Sequence, residues 1–138
     1  KYKYNLTQSH VLTALLRKTF KEKKNNKKSI ELWGNGKSIR EFMHVDDLAN
    51  ACYHILNKKK LKDIINIGSG NEITIIELLK KIMKIANLNI KVKKKLSMPN
   101  GTPRKLLDSS YVNSLGWSPK ISLEAGLKKI YLEYEDGL

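Results

Sequence analysis

With 138 residues and 41% apolar content, the chain is sized for one domain that buries roughly two-thirds of its extended surface, and it is too apolar to be disordered. A net charge of +14 raises nucleic acid as a partner, but only three of the 27 basic residues are arginines, and the lysines form runs with Asn and Ile of the kind found on solvated faces. No zinc spacing, aromatic-interleaved RNA motif or helix-turn-helix accompanies them, and no apolar run nears the ~20 residues that span a bilayer, so neither nucleic acid nor a membrane is expected.

In chain order, Ser9 or Thr7 is expected to cap a helix carrying Val11, Leu12, Leu15, Leu16 and Phe20 on one side, with Arg17 and Lys18 in its third turn. The Lys/Asn run 21–28 leads to an apolar, β-prone strand over 30–33. Then comes the most informative stretch, Trp33-Gly-Asn-Gly-Lys-Ser-Ile-Arg40-Glu-Phe-Met-His44-Val-Asp46-Asp47. Gly34 to Gly36 supply the positive-φ residues of a sharp reversal, and a second short strand follows. Asp46 or Asp47 is expected to cap a helix over 46–58 with Leu48, Ala51, Cys52, Ile55 and Leu56 at helical spacing. An arginine fork and an indole face, set close together around one turn, suit a phosphate and a planar base. The plainer reading is a hairpin with a core tryptophan and a surface arginine paired to Glu41 or Asp46.

Beyond that helix, Ile64 to Gly68 has the character of a buried strand, and Gly68-Ser-Gly70 reads as a turn. Thr74-Ile-Ile-Glu77 is a capping box, and the helix it opens places Ile76, Leu79, Ile82, Met83 and Ala86 in a core. A short strand is expected over 90–92, followed by a rigid loop from Pro99 to Pro103. Asp108 or Ser109 caps a short helix ending at Gly116, and Ser122 caps a last amphipathic helix bearing Leu123, Leu127, Ile130, Tyr131 and Tyr134. The single cysteine, Cys52, cannot form an intrachain disulfide and is expected as a buried small hydrophobe, and a reducing cytoplasm is the expected location. No Gly-x-Gly-x-x-Gly follows a strand, and no Tyr-x-x-x-Lys pair is present.

Taken together, Ser9-His10-Val11, Trp33-Gly-Asn-Gly, Arg40-Glu-Phe-Met-His-Val-Asp-Asp47, Ile67-Gly-Ser-Gly70 and Asn100-Gly-Thr-Pro-Arg-Lys-Leu-Leu-Asp108 resemble the C-terminal part of the GDP-L-fucose synthases. These are extended short-chain dehydrogenase/reductases of the NAD-dependent epimerase/dehydratase family. The Arg-x-Phe-x-His-Val-Asp-Asp element is shared across the superfamily. Gly-Thr-Pro-Arg-Lys-Leu-Leu-Asp, with Leu115-Gly-Trp117 and Ile121-Ser-Leu-Glu-Ala-Gly126, is the specific part. The resemblance runs from about Asn5 to the end.

The resemblance implies an α/β fold. It implies that residues 1–138 form the C-terminal substrate-binding part of a nucleotide-sugar epimerase/reductase, with crossing elements over about 43–70 that belong to the dinucleotide domain in the intact enzyme. The resemblance also implies that the family's N-terminal NADP-binding Rossmann domain is absent from these 138 residues. The activity implied is 3,5-epimerisation and NADPH-dependent 4-reduction of GDP-4-keto-6-deoxy-mannose, by an intact homodimer that binds NADP(H) mainly through the missing domain. His10 matches a histidine beside the nicotinamide and the sugar that serves as an acid; imidazole suits that role as a residue type. Read without the resemblance, His10 is a solvent-facing residue at a helix start. Lys18, Trp33 and Arg40 match positions that hold the GDP moiety, and Asn100 (often Asp in the family) and Lys105 complete the implied substrate contacts. The alternatives are another nucleotide-sugar epimerase or dehydratase, or a non-catalytic basic domain that binds a nucleotide or polyanion.

Overall fold

The computed structural model describes residues 10–135. The elements among them are α1 (Val11–Lys24), β1 (Ser29–Trp33), β2 (Ile39–Glu41), α2 (Val45–Leu56), β3 (Glu72–Thr74), α3 (Ile75–Ile85), β4 (Lys91–Lys95), β5 (Arg104–Lys105), α4 (Ser110–Ser114) and α5 (Leu123–Glu135). The fold is α/β, as the motifs imply. No helix among the described residues is long and apolar enough to cross a membrane.

The strands form two small sheets. β1 pairs in parallel with β4, in register from Ser29 opposite Lys91 to Trp33 opposite Lys95. In the second sheet β2 lies between β3, which is antiparallel to it, and β5, which is parallel. The hairpin reading is therefore wrong. Gly34 (φ 68°) and Gly36 (φ 74°) do take the left-handed conformation, but the turn hands the chain from one sheet to the other. Its geometry is enforced by packing: a Cβ on Gly36 would come within 2.8 Å of Leu32 Cδ2 and 2.9 Å of Ile76 Cβ. The strand expected at 90–92 instead runs on into the lysines. That is where an edge strand can afford charge, since its free side faces water.

The main core lies where α1, α3 and α5 meet the inner face of β1. On β1, Ile30 and Leu32 are buried and alternate with outward Ser29, Glu31 and Trp33, the period of a strand with one covered face. They meet Leu15 and Leu16 of α1, Leu78, Leu79 and Ile82 of α3, and Leu127 and Tyr131 of α5. Both bonds of the Thr74–Glu77 capping box are made, so α3 starts at a fixed point and its apolar stripe is aimed at this core. Leu79 is fully buried, and its truncation to Ala is worth about 2–5 kcal/mol.

A second, smaller core gathers Ala51, Val112 and Trp117, with Met43, Ile55, Ile65 and Ile67 against it. Three side chains of α2 tie that helix to the segment 115–121. The buried Asp47 carboxylate accepts from Lys120 N at 3.1 Å and Ile121 N at 2.9 Å. Trp117 Nε1 donates to Asn50 Oδ1, and His54 Nε2 bonds Leu115 O.

Several local expectations change here. The start of α2 is capped by His44, whose Nδ1 accepts from Asp46 N; Asp46 and Asp47 sit in the first turn, where carboxylates favour the helix dipole. Of these apolar residues of α2 only Ala51 and Ile55 pack into the described core, whereas Leu48, Leu56 and Cys52, expected in the interior, are exposed. Ile64 to Gly68 forms no strand, and Ile64 is 82% exposed. No described strand lies beside it to take its amides and carbonyls. At α1 the candidate caps Ser9 and Thr7 lie outside the described residues, and His10 occupies the N-cap without a side-chain bond. Ser122 caps α5 as expected, its Oγ accepting from Ala125 N.

Candidate functional site

Because β1 and β4 are parallel, and β2 and β5 are parallel, the connections 34–38 and 96–103 run side by side from one sheet to the other. They are laced along their length. Gly34 N donates to Lys95 O, and Ile39 N to Pro103 O. Asn35 N donates to Asn100 Oδ1 at 2.7 Å, and Ser38 Oγ donates to Asn100 O at 2.7 Å. A side chain at Gly34 would collide with Asn100 Oδ1. Asn100 thus shapes the turn with both its amide oxygen and its main chain.

At the β1–β4 end, Trp33 is 51% exposed and its Nε1 donates to Glu31 Oε1 at 3.2 Å. Lys18 Nζ lies 3.9 Å from Glu31 Oε1, and Lys95 Nζ 3.7 Å from Oε2. Burial pulls the Lys18 ammonium below its usual range, and Lys95 adds to that; Glu31 and Glu22 work against it. Trp33 is therefore not a core residue, as a plain hairpin would have it. It stands on the surface among two lysines and a carboxylate.

At the β2–β5 end, Arg40 lies opposite Lys105 in the parallel register. Its Nη1 donates to Ile39 O and Thr102 O, both at 2.7 Å. Those two carbonyls fix the guanidinium plane and leave Nε and Nη2 without an acceptor among the described residues. Gly101 (φ 72°) lies against Nη2, where a Cβ would sit only 3.3 Å away. The carboxylates that a surface-pair reading gives to Arg40 are engaged elsewhere. Glu41 accepts from Gly70 N and Leu107 N, and Asp46 pairs with Lys129. Lys105 is exposed on β5.

Lys18 and Trp33 therefore meet at Glu31 on one side of the crossing, Arg40 and Lys105 are paired through the main chain of β2 and β5 on the other, and Asn100 bonds the turn between them. His10 is not part of this arrangement. It is exposed at the start of α1, eight residues before Lys18, or about 12 Å along a helix. Glu31, Lys95, Ser38 and Thr102 were not singled out from the sequence. The alternation Glu31-x-Trp33 was a usable signal, since strand residues two apart share a face. The closeness of Lys95 needs the parallel register.

No group of His, Cys, Asp and Glu that could hold a metal occurs among the described residues. Nor do they form a cradle for a dinucleotide. The turn Gly68-Ser-Gly70 leads into β3 rather than a helix, and its amides are taken: Gly70 N by Glu41 Oε1 at 2.6 Å and Asn71 N by Ser69 Oγ. A carboxylate seated in the turn repels a pyrophosphate. That turn does not fit the pyrophosphate of a nicotinamide dinucleotide.

Known proteins resemble this chain along most of its length. The sequence profile of the NAD dependent epimerase/dehydratase family matches residues 1–68. GDP-L-fucose synthase 1 of Arabidopsis thaliana is 46% identical over 89% of this chain, which covers 38% of that protein. GDP-L-fucose synthase of Escherichia coli K12 is 39% identical over 96% of this chain and 45% of its own length. Among solved structures, a GDP-mannoheptose C4 reductase from Campylobacter jejuni with NADP bound superposes with a TM-score of 0.80 at 33% identity, over 96% of this chain and 46% of that one. The chain thus spans less than half the length of each of these three proteins. The chain is similar to the GDP-L-fucose synthases over most of its own length, and its first 68 residues match the NAD dependent epimerase/dehydratase family.

Proposed function

We propose that this chain is the GDP-sugar-binding part of a GDP-L-fucose synthase-like enzyme, one that epimerises C3 and C5 of GDP-4-keto-6-deoxy-mannose and reduces C4 with NADPH. The observation that carries the reading is the arrangement of Trp33 and Arg40 at the two ends of one laced crossing. An exposed indole face for a base stands at one end, and a guanidinium with unfilled donors for a diphosphate at the other. Lys18 and Lys105 add charge at each end, and Asn100 acts through the turn it shapes. The names of relatives at 39–46% identity support guanosine as the nucleoside.

In this reading His10 returns a proton to the sugar during epimerisation, and the nicotinamide is held mainly by protein outside these 138 residues. The exposed apolar side chains of α2, together with Ile64, support a seat for such a part. Val45, Tyr53 and Leu56 are 70%, 71% and 81% exposed. The test is titration calorimetry of the chain with GDP, UDP and dTDP. GDP binding tightest is the expected result. A preference for UDP or dTDP points to another nucleotide-sugar epimerase or dehydratase, and indifference with steep salt dependence to polyanion binding.

A further inference from the structure

We infer that Glu31 is a positioning residue of the nucleotide site and that Lys95, which it holds, is a further phosphate-binding residue; the inference rests on the GDP-binding reading above. Glu31 and Trp33 project from the same face of β1, the face opposite buried Ile30 and Leu32. The Glu31 carboxylate is engaged from three separate elements. Its Oε1 accepts the Trp33 indole N–H at 3.2 Å and faces Lys18 Nζ of α1 at 3.9 Å, while Oε2 faces Lys95 Nζ of β4 at 3.7 Å. One side chain thus fixes the rotation of an exposed indole and draws two mutually repelling ammonium groups together beside it.

The fold gains little from this. The Glu31 and Lys95 side chains are about half exposed, and such pairs contribute little to stability. Its effect is on the surface. A planar π face flanked by two ammonium groups matches the nucleoside end of a nucleoside diphosphate, with the base on the ring and the lysines adding to the charge that Arg40 presents to the phosphates at the far end of the crossing. Glu31 itself carries the same sign as the ligand. If it acted only through its charge, removing it would tighten the binding of an anion. If it acts by positioning, removing it loosens binding although the site becomes more positive.

These opposite signs decide the matter, using the 138-residue chain and GDP in titration calorimetry. Glu31→Ala is expected to weaken GDP about fivefold, the size of one exposed polar interaction. Glu31→Gln keeps an acceptor for the indole and is expected to recover part of that loss. Lys95→Ala is expected to weaken GDP by about threefold while leaving the indole held. Time-resolved tryptophan anisotropy supplies the second readout, because Trp117 is buried and contributes a constant background. Fast local motion of Trp33 grows in Glu31→Ala and stays as in wild type in Glu31→Gln. A Glu31→Ala chain that binds GDP as tightly as wild type, or tighter, overturns the inference, as does unchanged indole motion. A wild-type chain that does not bind GDP at all overturns the GDP reading, and the anisotropy then still decides whether Glu31 positions Trp33.

Discussion

Replacing Arg40 by lysine and by alanine separates two jobs that its guanidinium performs. Nη1 is anchored on Ile39 O and Thr102 O, and it holds the loop 99–103 to β2; Nε and Nη2 are the donors left for an anion. A lysine keeps the charge and can reach one of those carbonyls, but its ammonium cannot hold the loop and present a fork at once. Arg40→Lys is therefore expected to lose one charge-assisted bond to a diphosphate, about 1.5–3 kcal/mol, which is roughly ten- to a hundredfold in Kd for GDP. Arg40→Ala loses the same bonds and the loop anchor as well, so it adds a stability loss of about 1–2 kcal/mol. Titration calorimetry reads the first effect, and urea unfolding followed by tryptophan fluorescence reads the second. Equal GDP affinity in wild type and Arg40→Ala would remove Arg40 from the site. An unchanged urea midpoint in Arg40→Ala would show that the loop needs no anchor there.

Other consequences can be checked on the same material. Asp47→Ala leaves two part-buried amides, those of Lys120 and Ile121, without their acceptor, so a loss of about 1–3 kcal/mol is expected in urea unfolding; an unchanged urea midpoint contradicts the assigned bonds. Glu72 accepts two bonds from Arg104, at 2.6 and 2.7 Å, which hold its carboxyl below the usual range. Its contribution is present above the unfolded-state pKa and is lost as pH falls through the lower folded-state pKa. The melting-temperature gap between wild type and Glu72→Gln should therefore shrink on acidification below the ordinary glutamate range, and a gap constant with pH contradicts the pair. The exposed side chains Tyr53, Leu56 and Ile64 should bind a hydrophobic dye, with less bound by Leu56→Lys; an undyed wild type would argue against an apolar docking face.

The helices were legible in the sequence because helical spacing and local caps are short-range signals. Thr74 with Glu77, and Ser122, could be read directly from residues three apart. His44 as the cap of α2 was not readable, since imidazole is an uncommon N-cap and two aspartates beside it looked better. The sheets were hardest. β1 finds its partner about sixty residues later, and parallel pairing leaves no turn signature between partners. That hid Lys95 from the site and made the Gly34–Gly36 turn look like a hairpin. Residues 64–68 failed in the opposite way, since an apolar run specifies a strand only where another strand receives it. The pairing of an indole with a guanidinium was visible around the turn itself, whereas Lys18, Asn100 and Lys105 entered through family resemblance. The structure joins them by bonds that no local pattern announces.

The crossing between the two sheets makes the site resemble a calliper. One jaw carries Trp33, Lys18 and Lys95, the other Arg40 and Lys105, and the laced segments 34–38 and 96–103 form the bow between them. The gap is set by that bow together with the start of α3, whose amides at Ile75 and Ile76 bond Ser38 O and Gly36 O, and not by a ladder of strand bonds running from jaw to jaw. A ligand long enough to touch both jaws would act as a strut, resisting the bending of one sheet against the other. A shorter one, a nucleoside or a bare pyrophosphate, would rest on a single jaw and leave the bow free. Selection by length would then come from mechanics as much as from the chemistry of either end.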